Sequence, residues 1–104
     1  MTRFLFVYHG GNQPESPEEG EKVKKDWDNW FETMGDSVID SGAPVGNAWT
    51  VHRSRIVTSD GGNNPASGYS IVQAADREAA IELAKGCPVI EANGDVEIAE
   101  VMNI

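Results

Sequence analysis

Gly68-Tyr69-Ser70-Ile71-Val72-Gln73-Ala74-Ala75-Asp76, continued by Ala84-Lys85-Gly86-Cys87-Pro88 and by Asp95-Val96-Glu97-Ile98-Ala99-Glu100-Val101, reads as strand, helix, tight exit, strand. Tyr69 to Ala74 is rich in β-branched and aromatic residues, which suit a pleated, half-buried surface. Asp76 is placed to cap a helix through its side-chain oxygen, and Ala80, Leu83 and Ala84 recur on one helical face. Gly86 is expected to close that helix in a left-handed conformation, with Pro88 blocking its continuation. Asn93-Gly94 then turns the chain into a last strand, Val96 to Met102.

The first forty residues repeat the order with a longer helix. Residues 3–9 form a strand with Phe4, Phe6 and Tyr8 on one face and Leu5, Val7 and His9 on the other. Large groups on both faces predict a central position. After the polar loop Gly10 to Glu15, Ser16 offers an N-cap, Pro17 suits the first helical position, and Glu18 and Glu19 suit the positive end of the helix dipole. Val23, Trp27, Trp30, Phe31, Met34 and Val38 make one apolar stripe, while Asp26, Asp28, Glu32 and Asp36 make a solvated face. Gly42, Pro44 and Gly46 turn the chain, Ala48 to His52 and Arg55 to Thr58 read as a hairpin around Arg53-Ser54, and Ser59 to Ser67 reads as a mobile loop.

The order β-α-β(β)-β-α-β predicts an α+β domain with a split βαβ arrangement: an antiparallel five-stranded sheet carrying both helices on one face. The opposite sheet face keeps apolar groups that a small domain cannot leave in water. A homodimer through that face is therefore expected.

At 104 residues and 39% hydrophobic content the chain is one globular domain. Acidic residues outnumber basic ones 17 to 8, a formal charge of −9, which argues against nucleic acid or an anionic membrane surface as partner. Cys87 is alone, so no intramolecular disulfide forms. No stretch resembles a signal peptide or a membrane span of ~20 apolar residues, and a cytoplasmic location is expected.

Tyr8-His9-Gly10-Gly11 at the end of the first strand, the segment Trp-Asp-Asn-Trp-Phe-Glu-Thr-Met-Gly over 27–35, Ser41-Gly42-Ala43-Pro44, Gly68-Tyr69, and Ala84-Lys85-Gly86-Cys87-Pro88 before Val96-Glu97-Ile98 occur in that order. Together they resemble the YciI-like (YCII-related) family, in its branch named for an Asp-Gly-Pro-Phe motif, over nearly the full length. The resemblance implies a ferredoxin-like fold dimerising sheet to sheet as a dimeric α+β barrel. It implies no established reaction: members are mostly of unknown function, some accompany sigma-factor domains, and some look like small enzymes built around a His and an Asp. Where the branch has Asp-Gly-Pro-Phe, this chain has Asp60-Gly61-Gly62-Asn63. Loss of the rigid Pro and the apolar ring removes what would hold the loop against the fold.

His9 is the leading candidate for chemistry, being at a strand end before two glycines that leave room for a ligand. The resemblance supplies Asp60 as its partner, giving a general base oriented by a carboxylate. Tyr8 is expected to furnish an apolar wall, and the basic cluster His52, Arg53 and Arg55 to bind a carboxylate or phosphate, with Arg55 near His9. Gly10-Gly11 is no phosphate cradle, because Glu15, Glu18 and Glu19 would repel the anion. The histidines and carboxylates show no metal-ligand spacing, so no metal site is expected, and acid–base chemistry of this kind needs no cofactor. Cys87, with Lys85 as its one positive neighbour, reads as structural. Two function classes follow: a small enzyme or ligand-binding protein for a small organic molecule with His9 at the pocket mouth, or a non-catalytic dimeric interaction or regulatory module.

Overall fold

A computed structural model describes residues 1–104. In chain order it contains β1 (Thr2–Gly10), α1 (Pro17–Met34), a 3-10 turn (Gly35–Ser37), β2 (Val38–Pro44), β3 (Thr50–Val51), β4 (Val57–Thr58), β5 (Ala66–Ala74), α2 (Arg77–Lys85), a short α3 (Pro88–Glu91) and β6 (Gly94–Glu100). Four strands form one sheet in the order β2-β5-β1-β6, antiparallel throughout, and β3 and β4 make a separate two-stranded ribbon. This α+β topology is compatible with the ferredoxin-like arrangement. The sheet has four strands where five were expected: both hairpin strands leave it for the ribbon, and β2, over a segment not expected to form a strand, joins it.

β1 is central, paired to β5 on one side and β6 on the other. Phe4, Phe6 and Tyr8 are buried beneath the helices together with Val72 and Ala74 of β5. Ser16 caps α1 by accepting from Glu19 N at 3.1 Å, and Asp76 caps α2 by accepting from Ala79 N at 2.8 Å. Tyr8 and Trp27 meet edge to face with ring centroids 4.9 Å apart, and Trp27 meets Trp30 at 5.6 Å. Trp30 Nε1 donates to the Leu83 carbonyl at 3.0 Å, which joins α1 to the last turn of α2.

Three local readings are corrected. Val38 does not complete the α1 stripe: Gly35, at φ 55°, ends the helix, and Val38 opens β2 opposite Val72. Its side chain still packs against the same core, from a strand. The segment expected only to turn, 42–46, therefore contributes to an edge strand with bulges, in which Gly42 takes φ 74°. A Cβ at Gly42 would collide with the Tyr69 carbonyl, so close backbone approach requires glycine there.

Gly86 is not left-handed; its φ is −86° and the chain passes through Cys87 into α3, with Pro88 as a first helical residue. Asn93, at φ 67°, makes the left-handed turn instead. β5 begins at Ala66, inside the expected loop, and β6 ends at Glu100.

Residues 45–66 are exposed except for half-buried Ala48, Thr50 and Thr58. This excursion broadens the molecule to 44 × 43 × 18 Å with a radius of gyration of 15.0 Å. A compact chain of about this length has a radius of roughly 13 Å. No helix is long and apolar enough to cross a membrane.

Candidate functional site

Because successive strand residues point to opposite faces, the helix-free face of the sheet receives Arg3, Leu5, Val7 and His9 from β1, Tyr69, Ile71 and Gln73 from β5, and Asp95, Glu97 and Ala99 from β6. Its middle is apolar; its β6 edge is acidic. His9 sits where the two meet, at an irregularity that shifts the β1–β5 register between Tyr8 and His9.

Both ring nitrogens of His9 face acceptors. Nε2 lies 2.8 Å from Glu97 Oε1, while Nδ1 lies 2.9 Å from the Asn64 carbonyl and 3.2 Å from the Pro65 carbonyl. Glu97 reaches it diagonally, since its direct partner across the ladder is Val7. An imidazole satisfies acceptors on both sides only when both nitrogens carry protons. The Glu97 hydrogen bond, and then the two carbonyls, hold the His9 pKa above its ordinary value against the opposing effect of desolvation. The His9 side chain is 11% exposed and that of Glu97 62%. The geometry defines a clamp fastening the return end of the excursion to β1 and β6.

The glycines after His9 do not open a ligand space. Gly10 and Gly11 take φ 70° and 97° and bring the chain against α3 and β6: a Cβ on Gly11 would sit 3.2 Å from Val89 Cγ2. Asn12 N donates to Ala92 O at 2.7 Å, locking the same turn.

Asp60 does not hydrogen-bond His9. Its Oδ1 accepts from Gly62 N at 3.2 Å and from Thr58 Oγ1 at 3.4 Å, and its carbonyl accepts from Thr50 Oγ1 at 2.6 Å. The loop is nonetheless held despite the missing Pro and Phe. A Cβ on Gly61 would lie 2.8 Å from Pro65 Cβ and 3.1 Å from Ala48 Cβ, so Gly61 lets the turn close on the proline whose carbonyl meets His9.

Tyr8 belongs to the opposite face. It is buried against Trp27, and its hydroxyl donates to Ser70 Oγ at 2.6 Å, which donates to the Ser41 carbonyl at 2.7 Å. Burial pushes its phenol far above the ordinary value. It cannot line a site that contains His9.

His52 lies on the ribbon with Nε2 3.0 Å from Thr58 Oγ1, completing a chain His52–Thr58–Asp60. Arg55 occupies the left-handed position of the hairpin turn at φ 72°, its N–H donating to the His52 carbonyl at 2.7 Å. This is a three-residue hairpin loop with a positive-φ third residue. Neither Arg53 nor Arg55 has an ion-pair partner.

The structure thus joins His9 to Glu97 and His52 to Asp60, and leaves Tyr8 in the core. Glu97 was missed by sequence reasoning. Its signal, an acid between Val96 and Ile98 on a strand, gains meaning only from a register joining residues 88 apart. Shallow depressions of about 400 Å³ beside Trp30 and Gly86, and about 670 Å³ beside Arg3 and Glu100, do not include His9. No group of three or more His, Cys, Asp or Glu side chains is placed to hold a metal ion. Cys87 is buried, which pushes its thiol up to about 12. Neither a protein-family model nor a curated protein matches the chain.

Proposed function

We propose that the protein is a homodimeric interaction module of the YCII-like class, its two sheets meeting face to face as a dimeric α+β barrel. One observation carries this reading: the sheet face opposite the helices presents Leu5, Val7, Tyr69, Ile71 and Ala99 with no element of the chain over it. A sheet buried on one side only and apolar on both requires a second covering layer. The engagement of both His9 ring nitrogens by groups of the chain itself supports a structural task over turnover. Buried, solitary Cys87 suits a reducing, cytoplasmic setting.

A second reading rests on the 2.8 Å His9–Glu97 pair. Enclosed between two sheets, a histidine and a carboxylate at the rim of an apolar chamber could serve acid–base chemistry on a small organic molecule. Sedimentation of the wild type tests the first reading, and a monomer at micromolar concentration overturns it. A small-molecule thermal-shift screen on wild type and His9→Ala separates the two. Hits lost in a folded, still dimeric variant would establish the second.

A further inference from the structure

The excursion carries what the sheet face lacks. On the ribbon, Val51 pairs directly with Val57, and Trp49 immediately precedes the first ribbon strand. These three are 70%, 56% and 64% exposed respectively. The opposite face holds Thr50 and Thr58, half-buried and hydrogen-bonded within the excursion. The ribbon is therefore amphipathic with its apolar side in water, and a two-stranded hairpin has little stability of its own there.

Charge points to the surface that receives it. Residues 45–65 hold Arg53 and Arg55 against Asp60 alone, whereas the chain as a whole has a charge of −9. Asp95 and Glu97 line the β6 edge of the open sheet face, and Asp40, opposite Ile71, lies at its other edge.

We infer that the ribbon of each copy crosses onto the second copy at the rim of the sheet-to-sheet seam, setting Trp49, Val51 and Val57 over the margin of its apolar face and Arg53 and Arg55 against its acidic edge at Asp95 and Glu97. The exchange is reciprocal, as two-fold symmetry requires. It brings an arginine from one chain to the His9–Glu97 pair of the other. The His9 clamp acquires a role in this arrangement: by gripping Asn64 and Pro65 it sets the angle at which the excursion leaves the sheet.

This inference rests on the dimeric reading, and sedimentation equilibrium keeps the two separable. Val51→Asp with Val57→Asp places two charges in the proposed contact without touching the body of its own chain. Self-association should weaken at least ~100-fold, with unchanged circular dichroism. Tyr69→Lys on the sheet face should do the same, and Arg53→Glu with Arg55→Glu should weaken the dimer about tenfold while reducing its salt dependence. A wild-type monomer overturns both proposals. A wild-type dimer unaffected by the ribbon changes overturns the exchange alone. Loss on the ribbon without loss at Tyr69 places the ribbon elsewhere and also overturns it.

Discussion

Trp30 and Trp49 are the same residue with opposite fates. Trp30, 7% exposed, lies in a cluster with Phe6, Tyr8, Trp27 and Phe31, and its indole N–H is bonded to Leu83. Trp49, 64% exposed, leads a ribbon with no layer over it. The side of the sheet beneath the helices satisfies its apolar residues within one chain, whereas the excursion, like the open sheet face, leaves its own unsatisfied. An apolar residue announces that it will be covered, but not by which molecule.

The largest expected effect breaks the body and spares the ribbon. Trp30→Ala removes a buried ring and its hydrogen bond to the Leu83 carbonyl, lowering unfolding stability by about 3–5 kcal/mol. Urea titration should show that loss at every protein concentration. Trp49→Ala should change stability by less than ~0.5 kcal/mol in dilute solution and show a deficit only at concentrations where chains associate. An equal, concentration-independent loss for both would erase the contrast.

Gly42→Ala comes next and probes the edge from which the excursion departs. The added methyl meets the Tyr69 carbonyl in a backbone conformation suited to glycine. A loss of about 2 kcal/mol or more is expected. Thermal melting within a degree of wild type would show that β2 relaxes freely.

The smallest effect concerns the clamp between the two regions. The folded-state pKa of His9 is raised above its ordinary value, chiefly by Glu97. The stability it contributes is therefore fully present below the unfolded-state value of about 6.5 and is lost as pH rises through the raised folded value. NMR titration should place the His9 midpoint above 6.5 in wild type and lower it in Glu97→Gln. Amide exchange around Asn64 and Pro65 should quicken over the same rise in pH. A wild-type midpoint at or below 6.5 would mean that the clamp does not hold in solution.

Much of the body was legible from local chemistry. Ser16 and Asp76 announced their helix starts, because a cap acts within three residues. The alternation over 3–9 announced a strand with two distinct faces. That alternation also placed Tyr8 opposite His9, so a shared site for them was at odds with the strand's own period. Val38 misled because it extends a helical stripe, yet a strand delivers its side chain to the same core once Gly35 has ended the helix.

Local sequence, then, was enough for the caps, the helices, the central strand and the α+β order, since each depends on neighbours a few residues away. Only the tertiary structure decided that His9 meets Glu97 and not Asp60, that the hairpin leaves the sheet, and that Asn93 rather than Gly86 turns left-handed. Those outcomes depend on strand register and on which surface reaches which, and both are set by contacts between residues far apart in the chain.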